Sequence, residues 1–68
     1  MNPNNLTFSS KIDPDVEDIC FDILLNHLNK QDFEKVYIKN VALAPNEIIF
    51  FGEIEGTESI IRVRVEND

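Results

Sequence analysis

Apolar residues recur along this chain with two different periods, and the change of period divides it into a helical part and a stranded part. Val16, Ile19, Cys20, Ile23, Leu24 and Leu28 keep the spacing of one face of an α-helix. Asp13-Pro14 marks where that helix starts. The Asp13 carboxylate can accept from a free backbone N–H of the first turn, and Pro14 loses nothing at a position whose N–H has no helical partner. Asp15, Glu17 and Asp18 then set negative charge against the positive end of the helix dipole. No apolar residue follows Leu28 until Phe33, so the expected end is near Asn29 or Lys30.

At 100° per residue, Val16, Ile19, Cys20, Ile23, Leu24, His27 and Leu28 make the expected core face. Asp15, Asp18, Asp22, Asn26 and Asn29 share one polar sector. Phe21 and Leu25 widen the apolar arc beyond the stripe that a surface helix needs to cover one sheet. The sequence therefore predicts a further cover for Phe21 and Leu25.

From Phe33 the period falls to two. Val36 and Ile38, then Val41 and Leu43, alternate with Tyr37, Lys39 and Ala42, and the slip at Lys39-Asn40 predicts a bulge. Ala44-Pro45-Asn46-Glu47 reads as a turn, with Asn46 suited to the left-handed region. Residues 48–55 and 59–66 read as two further strands, joined by Gly56-Thr57 as a type II′ turn. That turn sets Glu55 opposite Glu58, Ile54 opposite Ser59, Phe50 opposite Val63 and Ile48 opposite Val65. Phe51 then faces Arg62, and Ile49 faces Arg64. One face of the hairpin becomes apolar throughout (Ile48, Phe50, Ile54, Ile61, Val63, Val65), which a slip of one residue would scramble.

The expected architecture is α+β: one amphipathic helix packed on a three-stranded antiparallel β-meander, in the order αβββ. Residues 6–12, with Leu6, Phe8 and Ile12, are a candidate additional short N-terminal strand. Residues 1–5 read as a flexible N-terminal tail, and 6–68 as a single domain.

Composition changes this picture in two ways. With 68 residues the chain has room for one core of marginal size, and its single cysteine excludes an internal disulfide. One cysteine and one histidine give no metal-ligand cluster, so self-association is the remaining common aid to stability. Thirteen acidic residues against six basic give a net charge of −7, which disfavours direct binding to nucleic acid or an anionic membrane. The opening residues carry no basic segment followed by an apolar run, and a lone thiol suits a reducing compartment. The expected location is cytoplasmic.

Each candidate site has a plainer reading beside it. His27 lies in the direction of the core face, where a histidine is usually packing rather than chemistry. Cys20 lies in the core stripe among acids, the opposite of the setting that activates a thiol. No glycine-rich phosphate loop, CxxC, G-x-S-x-G or H-E-x-x-H occurs. No catalytic, cofactor or metal residue is therefore expected. Asp15, Asp18 and Asp22 form a carboxylate row at spacings of three and four, which is either a solvated helix face or a contact for a basic protein partner. On the second sheet face Ile49, Phe51 and Ile60, with Tyr37 beside them, sit among Lys39, Glu53, Glu55, Arg62 and Arg64. This is either a solvated face laced by ion pairs or an interface with an apolar centre and charged rim.

The functional expectation is a small acidic non-enzymatic protein–protein interaction module that self-associates, as a dimer, through either Phe21 and Leu25 on the helix or Ile49, Phe51 and Ile60 on the sheet. The alternative is an acidic inhibitor or adaptor that meets a basic nucleic-acid-binding partner through Asp15, Asp18 and Asp22, imitating the charge of a nucleic-acid strand.

Overall fold

The structure, a computed structural model, describes residues 1–65. Its elements are β1 (Leu6–Phe8), α1 (Pro14–His27), β2 (Val36–Leu43), β3 (Glu47–Ile54) and β4 (Thr57–Arg64). The strands form one sheet in the order β1-β2-β3-β4. β1 runs parallel to β2, with Leu6 beside Val36 and Phe8 beside Ile38. The other neighbours are antiparallel. The meander and the short N-terminal strand are therefore both present. The parallel pairing follows from α1, because a helical crossover returns the chain to the sheet in the direction in which it left.

α1 begins as its sequence requires. Asp13 Oδ1 accepts from the Asp15 N–H at 2.9 Å, Pro14 occupies the first turn, and Asp15 and Glu17 lie in that turn. The helix stops earlier than expected. Leu28 is the C-cap, and its N–H donates to the carbonyls of Leu24 and Asn26. Ahead of β1, Pro3–Asn5 make a single 3-10 turn, Asn5 Nδ2 donates to the Phe33 carbonyl, and Met1 is half-buried against the core.

The core lies between α1 and one sheet face. Cys20, Leu24 and Leu28 descend from the helix onto Leu6, Phe8, Val36, Ile38, Ile48, Phe50 and Val63, and all ten are buried. The Phe8 ring stands edge-on to Phe50 at 6.3 Å and tilted against Phe21 at 6.1 Å. The buried helical arc is thus centred on Leu24, rotated away from the centre expected from periodicity. Two expectations change. Phe21 and Leu25 lie half-buried at the border of the core, where Phe8 of β1 supplies the cover that Phe21 lacked. Ile19, expected on the core face, lies beyond the border of the rotated arc and is 66% exposed, and His27, whose direction stays within the arc, is exposed as the last residue of the helix.

The register of β2 on β3 shifts between Ile38 and Asn40, where the alternation slips. Beside the shift, a Cβ on Gly52 would overlap the Tyr37 carbonyl oxygen and come within 2.9 Å of Ile38 Cα. Only glycine lets β3 approach the bulged strand this closely. The bulge resets the parity of β2, so that Val41 and Leu43 follow Val36 and Ile38 toward the helix side.

The β3–β4 turn differs from the expected one. Glu55 and Gly56 form the loop, both with positive φ (50° and 83°), and Ile54 pairs with Thr57. Two positive φ values in a two-residue loop make a type I′ turn, whose twist matches that of the strands it joins. The pairing moves by two residues, which leaves each side chain on its expected face but gives it a new neighbour. Phe50 now faces Ile61 and Phe51 faces Ile60. Apolar pairs replace the expected Phe51–Arg62 contact, and cross-strand pairs of this kind contribute about 0.2–1 kcal/mol each. Asn46 does not adopt a positive φ in the β2–β3 turn. Of the expected strand 59–66, Glu66 lies outside the described residues.

Two stability measurements follow. Gly52→Ala should cost about 3 kcal/mol, seen as a lower urea midpoint, because backbone rather than a flexible side chain must move. Glu55→Asn should gain about 0.5–1 kcal/mol, since Asn-Gly suits a type I′ turn better than Glu-Gly. An unchanged midpoint in either variant would contradict the geometry of its site.

Candidate functional site

α1 covers one face of the sheet, and no element among the described residues covers the other. That open face is built by alternation. Tyr37, Lys39, Asn40 and Ala42 of β2 lie beside Ile49, Phe51 and Glu53 of β3, with Glu58, Ile60, Arg62 and Arg64 on β4. The structure brings together the three sheet residues singled out in the sequence. Phe51 and Ile60 are direct cross-strand partners, and Ile49 is two residues along β3 on the same face. Phe51 and Ile49 are half-buried by their neighbours, whereas Ile60 is 63% exposed. An open groove of ≈ 490 Å³ runs here between Lys39, Phe51 and Ile60, over Gly52.

A charged cluster borders the apolar centre. Glu53 and Glu58 are directly opposed, an arrangement that is repulsive by itself. Lys39 relieves it by reaching both, at 2.7 Å to Glu53 and 3.7 Å to Glu58. Lys39 lies two residues beyond Tyr37, the cross-strand partner of Glu53, on the same face. On the other side Arg62 approaches Glu47 at 3.7 Å. The hydrogen bond from Lys39 holds the Glu53 carboxyl below its ordinary range, and that bond with Glu53 holds Lys39 above its own. The opposition of Glu53 and Glu58 was not foreseen, because the expected turn set Glu55 rather than Glu53 against Glu58. The available signal was the glycine at the second loop position, which type I′ turns favour.

The remaining candidates lie elsewhere. Phe21 and Leu25 belong to the helix layer and do not join Ile49, Phe51 and Ile60. The exposed apolar residues that sequence reasoning missed are Ile19 on α1 and Leu43 at the end of β2, 66% and 68% exposed. Asp15, Asp18 and Asp22 are exposed along the outside of α1, and none of them enters an ion pair among the described residues. Cys20 is buried, and burial pushes its thiol up. Among the described residues no three His, Cys, Asp or Glu groups are placed to hold a metal ion. No helix among them is long and apolar enough to cross a membrane.

The Lys39–Glu53 pair predicts a pH window. Glu53 has a lowered pKa in the folded chain, so its contribution is present above the unfolded carboxylate pKa and lost as pH falls through the folded value. Lys39 has a raised pKa, so its contribution is present below the unfolded lysine pKa and lost as pH rises through the folded value. The urea midpoints of wild type and Lys39→Met should therefore differ near neutrality and converge at both extremes. A constant difference across pH would contradict the pairing. No family model, curated protein or solved structure matches this chain.

Proposed function

We propose that this chain is a small acidic non-enzymatic protein–protein interaction module that self-associates as a dimer around Ile60, where the open face of its sheet reaches the outermost strand. The observation that carries the reading is Ile60. A large apolar residue, 63% exposed, it extends the Phe51–Ile49 cluster to the outermost strand, inside a rim of Lys39, Glu53, Glu58 and Arg62. An apolar centre with a polar rim is the anatomy of a protein interface. The core of ten buried residues is small, and a partner that removes further apolar surface from water adds stability to a chain of this length. Phe21 and Leu25 drop out as contact residues in this reading, since the chain's own core accounts for them.

A second reading has one observation in its favour. The Asp15, Asp18 and Asp22 carboxylates are exposed, in a row, and free of ion pairs among the described residues. Such a row suits contact with the basic surface of a nucleic-acid-binding protein, with this chain as inhibitor or adaptor. The two readings are compatible, because α1 and the open face lie on opposite sides of the sheet.

Sedimentation tests the first reading. Wild type should be dimeric at high micromolar concentration, and Ile60→Asp should weaken association at least ten-fold, the effect of about 1.4 kcal/mol. A wild-type monomer at that concentration would sink the reading. The second predicts a basic partner that is released as salt rises and is not retained by Asp15→Asn/Asp18→Asn/Asp22→Asn. Retention by that triple variant, insensitive to salt, would count against it.

A further inference from the structure

The sheet has three stretches of strand edge without a neighbouring strand among the described residues. Two carry features that discourage pairing. β1 is only three residues long. The part of β2 beyond β1 follows the bulge, and there the Val41 N–H is already taken by Asn40 Oδ1 at 2.9 Å. The third is β4, which has eight residues, no proline and no register shift against β3. Val65 donates its N–H to Asn46 on the β3 side, so alternation directs the backbone groups of Glu58, Ile60, Arg62 and Arg64 toward the open edge. An edge this long and regular is a template for another strand.

The side chains on β4 indicate which strand. All four outward-directed residues also place their side chains on the open face, so their charges must suit whatever pairs there. Antiparallel pairing of β4 with itself allows a few registers. Those centred on Glu58 or Arg62 oppose like charges, and those centred on Ser59 or Ile61 set Ile60 against a charge. The register centred on Ile60 sets Ile60 against Ile60 and each Glu58 against the other copy's Arg62. We propose that β4 pairs antiparallel with β4 of a second copy about a two-fold axis at Ile60, making one continuous sheet of two chains. This rests on the self-association proposed above and adds its site and register. Each opposed pair of outward-directed residues exchanges backbone hydrogen bonds, and the apolar cluster of Phe51 and Ile60 continues across the axis.

Charge reversal tests it. Glu58→Arg sets positive against positive, and Arg62→Glu sets negative against negative, so each variant alone should associate at least ten-fold more weakly than wild type by sedimentation. An equimolar mixture of the two variants should recover a dimer, because each copy then meets its complement at both ends, and Glu58→Arg/Arg62→Glu together should dimerise alone. Both side chains are exposed, so the folded monomer should persist, checked by circular dichroism. Isotope-filtered NMR on mixed labelled and unlabelled wild type should also show Ile60 of one copy in contact with Ile60 of the other, a result that depends on no variant. A wild-type monomer would overturn self-association and this proposal together. A dimer indifferent to both reversals and lacking the Ile60 contact would leave self-association standing and overturn the edge pairing. Dissociation by Arg64→Glu but not Arg62→Glu would overturn the register.

Discussion

The close approach of β3 to the bulged strand β2 is the constraint on which the rest of this structure depends. At Gly52 no Cβ fits against the Tyr37 carbonyl, and across from it Lys39 is the extra residue of β2. The shift keeps apolar residues on the helix side along the whole strand: Val36 and Ile38 before it, Val41 and Leu43 after it. With strict alternation instead, Asn40 and Ala42 would turn toward the core and Val41 toward water. On the opposite face Lys39, at the same shift, bridges Glu53 and Glu58.

The second determinant is coverage. One helix of fourteen residues lies over one face of a four-stranded sheet, and the opposite face has no layer among the described residues. In a two-layer architecture an uncovered face is normally polar, with side chains that alternate out of the core. Here the centre of that face holds Ile49, Phe51 and Ile60, and charges are confined to its border. The outer edge of β4 is regular and, among the described residues, unpaired, where the other edges are short or occupied by a side chain. Apolar face and open edge meet at Ile60, so pairing at that edge joins the apolar clusters of two copies at their Ile60 ends.

Period and cap chemistry made most of this fold legible in the sequence. Asp13-Pro14, the 3.6-residue run from Val16 to Leu28 and the slip at Lys39-Asn40 each appear where local physics places them. The parallel direction of β1 was not legible, since three residues carry no sign of their partner. The centre of the buried helical arc was also hidden. Periodicity finds an apolar sector but not which border of it the sheet covers, and the contact of Phe8 with Phe21 decides that Phe21 turns in and Ile19 out. Two-fold alternation fixed the faces of the hairpin but not its register, because a shift of two residues leaves every face unchanged. The candidate contacts split accordingly: Ile49, Phe51 and Ile60 followed from parity, while the place of Glu58 beside Glu53 and Lys39 depended on the register.

Amide hydrogen exchange in the wild-type chain, followed as protein concentration rises, tests the central claim most directly. The N–H groups of Glu58, Ile60 and Arg62 point to the open edge, whereas those of Ser59, Ile61 and Val63 point to β3. The account predicts that the first set exchanges rapidly in dilute solution and becomes protected at high micromolar concentration, while the second is protected throughout. Rapid, concentration-independent exchange of Glu58, Ile60 and Arg62 would contradict it.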